Sequence, residues 1–95
     1  MTAFPAAEPA AETDEVRLRR LRMRSWHRGI REMDLILGGF ADTGLAGLSA
    51  DLLQAFDRLL SEADHDLYRW IAGGAAAPAG YAAIVARIRT DRGIG

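Results

Sequence analysis

Ser25-Trp26-His27-Arg28-Gly29-Ile30-Arg31-Glu32-Met33-Asp34 makes a poor interior for a single helix. Gly29 there would cost about 1 kcal/mol relative to Ala. Arg28 and Glu32 are four residues apart and would share a face, but with the cation first, the weaker order for a helical pair. The same residues suit a corner. Glycine ends one helix and lets the next begin at a new angle, which puts Glu32 in the first turn of the second helix. A corner that gathers Arg28, His27 and Trp26 at the surface is also a place for partner contact.

Downstream of the corner, Met33, Ile36, Leu37 and Phe40 recur at i, i+3, i+4 and i+7, a core-facing helical stripe. Gly38-Gly39 is expected to weaken the end of this helix, and Asp42-Thr43-Gly44 through Gly47-Leu48 to form a loop. Ser49 can cap a third helix with Asp51 in its first turn and Leu52, Phe56, Leu59 and Leu60 on its stripe. Asp64 is expected to cap a short fourth helix in which Leu67, Trp70 and Ile71 share a face, ended by Gly73-Gly74. Pro78 suits the entry to a last helix, where Tyr81, Ile84, Val85 and Ile88 repeat the helical spacing. Upstream, Thr13-Asp14-Glu15 reads as a capped helix start. That helix runs to about His27 on a weak stripe of Leu18, Leu21 and Ser25. No alternating strand pattern occurs. The fold class expected is all-α, a small bundle of about five short helices. Residues 13–92 form the single helical domain, and residues 1–12, rich in Ala, Pro and Glu, read as a disordered tail.

With 95 residues and no cysteine, the chain has one modest core, no disulfide framework, no thiolate zinc site and no cysteine nucleophile. The apolar run from Leu35 to Ala41 is far too short to span a bilayer, and the N-terminus lacks the pattern of a secretion signal. A soluble cytoplasmic protein is expected. The net charge of −1 hides an asymmetry. Arg17 to Arg31 holds seven arginines and no acid, whereas Glu32 to Asp66 holds eight acids and only Arg58. Such blocks either meet within the fold or make two partner-facing surfaces.

Few constellations carry chemistry. His27 and His65 are the only histidines and lack any metal-ligand spacing. No glycine-rich phosphate loop links a strand to a helix, and no serine sits in a G-x-S-x-G context. Neither a catalytic residue nor a metal ligand is assigned, and the chain is not expected to be an enzyme. The arginine helix has the charge of a nucleic-acid footprint, with Trp26 able to stack on a base. The following helix, however, is acidic or apolar and unlike a major-groove reader. Trp70 and Phe56 lie on apolar stripes and belong to the core. Trp26, flanked by Arg24, His27 and Arg28, is either a core residue or an interface anchor.

Arg28-Gly29-x-x-Glu32, followed by Met33-Asp34-Leu35, resembles the signature of the small, SdhE-like succinate dehydrogenase assembly factors. The likeness extends through Ile36-Leu37 and Phe40, then Leu48-Ser49, Phe56 and Leu59-Leu60. It ends in Asp64-His65-Asp66-Leu67-Tyr68-Arg69-Trp70, similar to the family's Asp-Pro-Asp-Leu-x-x-Trp segment, with His65 where proline is common. The resemblance implies a five-helix chaperone-like protein without turnover chemistry of its own. It would bind the flavoprotein subunit of succinate dehydrogenase, or the related fumarate reductase, and favour the bond between a client histidine and the 8α carbon of FAD. FAD is then the client's cofactor and is not held stably by this chain. The family's functional residues carry over to Arg28, Gly29, Glu32 and Asp34. Trp26, Arg24 and Arg31, with Arg22, would extend the partner-binding surface. Arg28 and Glu32 are expected to make charged hydrogen bonds across that interface, and their replacement to leave folding intact. A free monomer that touches neither nucleic acid nor membrane completes the expectation. The alternative is a small helical nucleic-acid-binding or regulatory module using the arginine-rich first helix.

Overall fold

A computed structural model describes residues 12–94; the expectation of a disordered tail falls, for residues 1–11, outside the described residues. Five α-helices follow one another: α1 (Asp14–Trp26), α2 (Arg31–Gly44), α3 (Ala50–Leu59), α4 (Asp64–Ile71) and α5 (Ala82–Asp91). Short 3-10 turns at Leu45–Gly47 and Ala79–Tyr81 lead out of α2 and into α5. No strand occurs among the described residues, and no helix is long and apolar enough to cross a membrane.

The cap at Thr13 forms as expected, its hydroxyl accepting from the Val16 amide at 3.1 Å. The Ser49 hydroxyl does the same for Leu52 at 3.2 Å. Each satisfies one amide that the first helical turn leaves without a partner. Gly29 adopts φ +97°, a conformation that other residues rarely reach, and α1 ends there as α2 turns away. The stripes then meet. Leu21, Met33, Leu37, Phe40, Phe56, Leu59, Leu67, Ile71, Ile84 and Ile88 are fully or almost fully buried in one core. Phe40 and Phe56 pack as a tilted pair, 5.5 Å between ring centroids. Ser25, buried on the weak stripe of α1, turns its hydroxyl onto the Leu21 carbonyl at 2.7 Å.

Two expectations are corrected. Helix α2 does not weaken at Gly38-Gly39. It runs to Gly44, and the segment expected as a loop continues it and its 3-10 extension. The reason is packing: Gly38 is buried against the indole of Trp26, and an added Cβ would lie 2.2 Å from a ring atom. The absence of a side chain is what lets α1 and α2 approach, and tertiary contact overrides the propensity cost. Asp64 does not cap α4. The cap position is Ala63, without a side-chain hydrogen bond, because the Asp64 carboxylate is taken by Arg28.

Candidate functional site: the α1–α2 corner and its groove

The bend at residues 28–30 places two residues of the expected site in opposite situations. Arg28 turns inward. Its Nε donates to Asp64 Oδ1 at 2.6 Å, Nη2 to the Glu62 carbonyl at 2.7 Å and Nη1 to the Leu60 carbonyl. Those carbonyls lie at and just beyond the C-terminus of α3, where backbone acceptors lack helical partners and the helix dipole favours a cation. Asp64 stands in the first turn of α4, where the dipole favours an anion. One planar fork thus joins the end of one helix to the start of the next. The side chain is only 12% exposed. Its backbone amide donates to Asp34 Oδ1 at 2.7 Å, so Asp34 ties the bend to the first turn of α2.

Glu32 turns outward and has no hydrogen bond or ion pair among the described residues. Arg28 and Glu32 are therefore not bonded to each other. This geometry revises one expectation. Arg28 offers its hydrogen bonds to its own chain, so its removal will not leave folding untouched. Glu32 keeps a carboxylate available at the surface.

The other residues expected at the site scatter around the corner. Trp26 is half-buried, its ring over Gly38 and its indole N–H donating to Asp42 Oδ1 at 3.2 Å. Arg24 reaches Asp57 at 2.9 Å, and Arg31 is exposed beside Glu32. Arg22 lies 3.5 Å from Asp42. The corner thus brings Arg28, Gly29, Glu32 and Asp34 together, with Arg31 at its rim. Arg24 belongs instead to a cluster on the face of α1 that meets α3.

In that cluster Arg17, Arg20 and Arg24 converge on Asp57, at 3.8, 3.2 and 2.9 Å. Burial pushes the Asp57 pKa up, but the hydrogen bonds and charges of Arg20 and Arg24 outweigh it and hold the carboxyl below its ordinary value. Arg20 also forks onto Glu12, at 2.7 and 3.1 Å. That bond holds the Glu12 carboxyl below its usual range. The basic and acidic blocks of the sequence therefore meet inside the fold. Four of the seven arginines considered for nucleic acid are matched by Asp57 or Asp42, and nothing in the structure favours that alternative.

Beside the bend lies a groove of about 380 Å³ between the start of α2 and the outer face of α4. Ile30, Met33 and Tyr68 give it an apolar lining, with Glu32 on one wall and Asp64 and Arg69 on the other. His65 also borders it. In the sequence the α4 wall stood out only through the family likeness of Asp64 to Trp70, and Tyr68 and Arg69 were given no role at the site. From the far side, the Tyr81 hydroxyl donates to Glu62 at 2.6 Å. That hydrogen bond raises the phenol above its ordinary pKa.

Comparison with known proteins identifies the family of the chain. Residues 19–92 match the family described as "Sdh5: Flavinator of succinate dehydrogenase". Three similar proteins are each called "Succinate dehydrogenase assembly factor 2, mitochondrial". That of Schizosaccharomyces japonicus is 45% identical over 67 residues, covering 70% of this chain and 47% of the relative. That of Schizosaccharomyces pombe is 40% identical over 67 residues, with 70% and 48% covered. That of Lodderomyces elongisporus is 43% identical over 63 residues, with 66% and 38% covered. The chain spans less than half the length of these curated relatives. No solved structure matches it. The matched span takes in the corner, the groove and all five helices but the first turns of α1, and on it the chain belongs to the Sdh5 family, the flavinators of succinate dehydrogenase.

Proposed function

We propose that this chain is an assembly factor that docks, through the α1–α2 corner, onto the flavoprotein subunit of succinate dehydrogenase or the related fumarate reductase. There it promotes covalent attachment of the client's FAD. The observation that carries the reading is the pairing of an exposed Glu32, unpartnered among the described residues, with a bend tied down by Arg28, in a chain of the flavinator family. A preorganised surface loses little freedom on binding, so more of its contact energy appears as affinity.

The chain's contribution is binding and orientation. By favouring the client conformation in which histidine and flavin are aligned, it shifts a population toward the reactive geometry. The bond-making groups and FAD itself belong to the client, and the chain neither holds the cofactor stably nor turns over as an enzyme. Glu32 contacts the client; Arg28, Gly29 and Asp34 hold the bend in shape; Arg31 and Trp26 extend the surface. The free chain is proposed to be a monomer. Its encounter with the flavoprotein precedes assembly of the membrane enzyme and takes place in the cytoplasm; the curated relatives carry the designation mitochondrial.

The test is co-expression of the flavoprotein subunit with and without this chain, followed by in-gel flavin fluorescence after denaturation. Fluorescence should rise when the chain is present. Glu32→Gln should fold normally yet return the signal to the level seen without the chain. Equal fluorescence in the presence and absence of the wild-type chain would overturn the proposal.

A further inference from the structure

The groove between α2 and α4, about 380 Å³, has room for one or a few side chains of an occupant. The lining suits an apolar group, since Ile30 and Tyr68 are among the few large hydrophobic side chains left exposed. Burial of such surface is a general source of affinity.

Three fully charged side chains border the groove, and two are already matched. Asp64 is paired with Arg28 at 2.6 Å. Arg69 lies 3.9 Å from Asp66 on its own helix. Glu32 makes no ion pair among the described residues. The unmet demand of the site is thus for a cation next to an apolar side chain, and guanidinium satisfies a carboxylate best because it can donate two parallel hydrogen bonds.

We infer that the groove receives a segment of the flavoprotein client that inserts an apolar side chain against Ile30 and Tyr68 and sets an adjacent arginine or lysine on Glu32. The inference rests on the proposed docking to that subunit and names what is recognised there. Tyr68 supplies contact area on the α4 wall of the groove, and Glu32 supplies register and a salt-dependent encounter rate.

The experiment measures the affinity of the full chain for the purified flavoprotein subunit. It compares wild type with Glu32→Arg, Tyr68→Ala and Tyr68→Phe, each checked for native helicity by circular dichroism. Glu32→Arg and Tyr68→Ala should each weaken binding about tenfold or more, whereas Tyr68→Phe should bind as wild type does. A scan of arginine-to-glutamate and lysine-to-glutamate changes over the client surface should find one that binds the wild-type chain poorly and restores binding to Glu32→Arg. If Glu32→Arg and Tyr68→Ala both bind like wild type while the wild-type chain still stimulates flavinylation, the groove assignment falls and with it the contact through Glu32, whereas the assembly-factor role stands. A wild-type chain that does not bind the subunit overturns both. Loss of binding by Glu32→Arg that no client substitution repairs overturns the cationic partner. Conversion of a self-associated chain to monomer by Tyr68→Ala would make the occupant a second copy and also overturn the inference.

Discussion

Arg28 and Glu32 stand four positions apart in one short motif, yet the bend gives them opposite work. The Arg28 guanidinium satisfies two carbonyls and one carboxylate that are remote in sequence. Arg28→Ala should therefore destabilise the fold by about 2–3 kcal/mol, the scale of leaving charged and backbone acceptors without donors. Arg28→Lys should recover only part of that, because an ammonium lacks the planar fork. Glu32→Ala should change stability by no more than about 0.5 kcal/mol, as an exposed substitution does. Urea unfolding of the three variants checks the contrast, and similar losses at both positions would contradict the geometry. Resemblance to a family signature singled the two residues out in the sequence. That one acts through its own fold was not legible there, because Leu60, Glu62 and Asp64 come within reach of Arg28 only after α3 and α4 have packed.

Helix α2 carries the second lesson, at the scale of the element. Its apolar stripe was plain from Met33 to Phe40, but its end was not, since Gly38-Gly39 looks like a stop. What holds the helix through that pair is a ring from α1 lying where a side chain would otherwise be. The two glycines should therefore respond in opposite directions. Gly38→Ala gains up to about 1 kcal/mol of helix propensity but forces the Trp26 ring aside. The net effect should be a loss of about 1–2 kcal/mol, as overpacking costs, with a red shift in tryptophan fluorescence. Gly39→Ala meets the movable guanidinium of Arg92 and should be neutral or stabilising by up to about 1 kcal/mol. Thermal melts of the pair test both signs. Elsewhere the helix starts at Thr13 and Ser49 were readable because their caps are local. The Asp64 cap was misplaced because a distant arginine competes for the same carboxylate.

Across the whole molecule, the basic first helix and the acidic middle of the chain neutralise one another. The sequence left open whether these blocks meet or face partners, and the ion pairs from α1 to Asp57 of α3 decide it. Asp57 is the centre of this contact. Its folded pKa lies below its ordinary value, so the group contributes stability above the unfolded carboxylate pKa of about 3.9. That contribution is lost as pH falls through the folded value. Wild type should lose stability more steeply than Asp57→Asn as pH drops from about 5 to below 4. Denaturant midpoints across that range are the check, and parallel pH profiles would show that the arginine cluster adds nothing.

The turn between α3 and α4 is gripped on one side by Arg28 and, through Glu62, on the other by Tyr81. Surface connections are where related chains ordinarily gain and lose residues. In this one a single inserted residue would carry two carbonyls away from one rigid fork and a carboxylate away from a phenol. Spacing there is constrained more tightly than residue identity. The exposed stretch at residues 74–76 is the natural place for relatives, or engineers, to lengthen the chain.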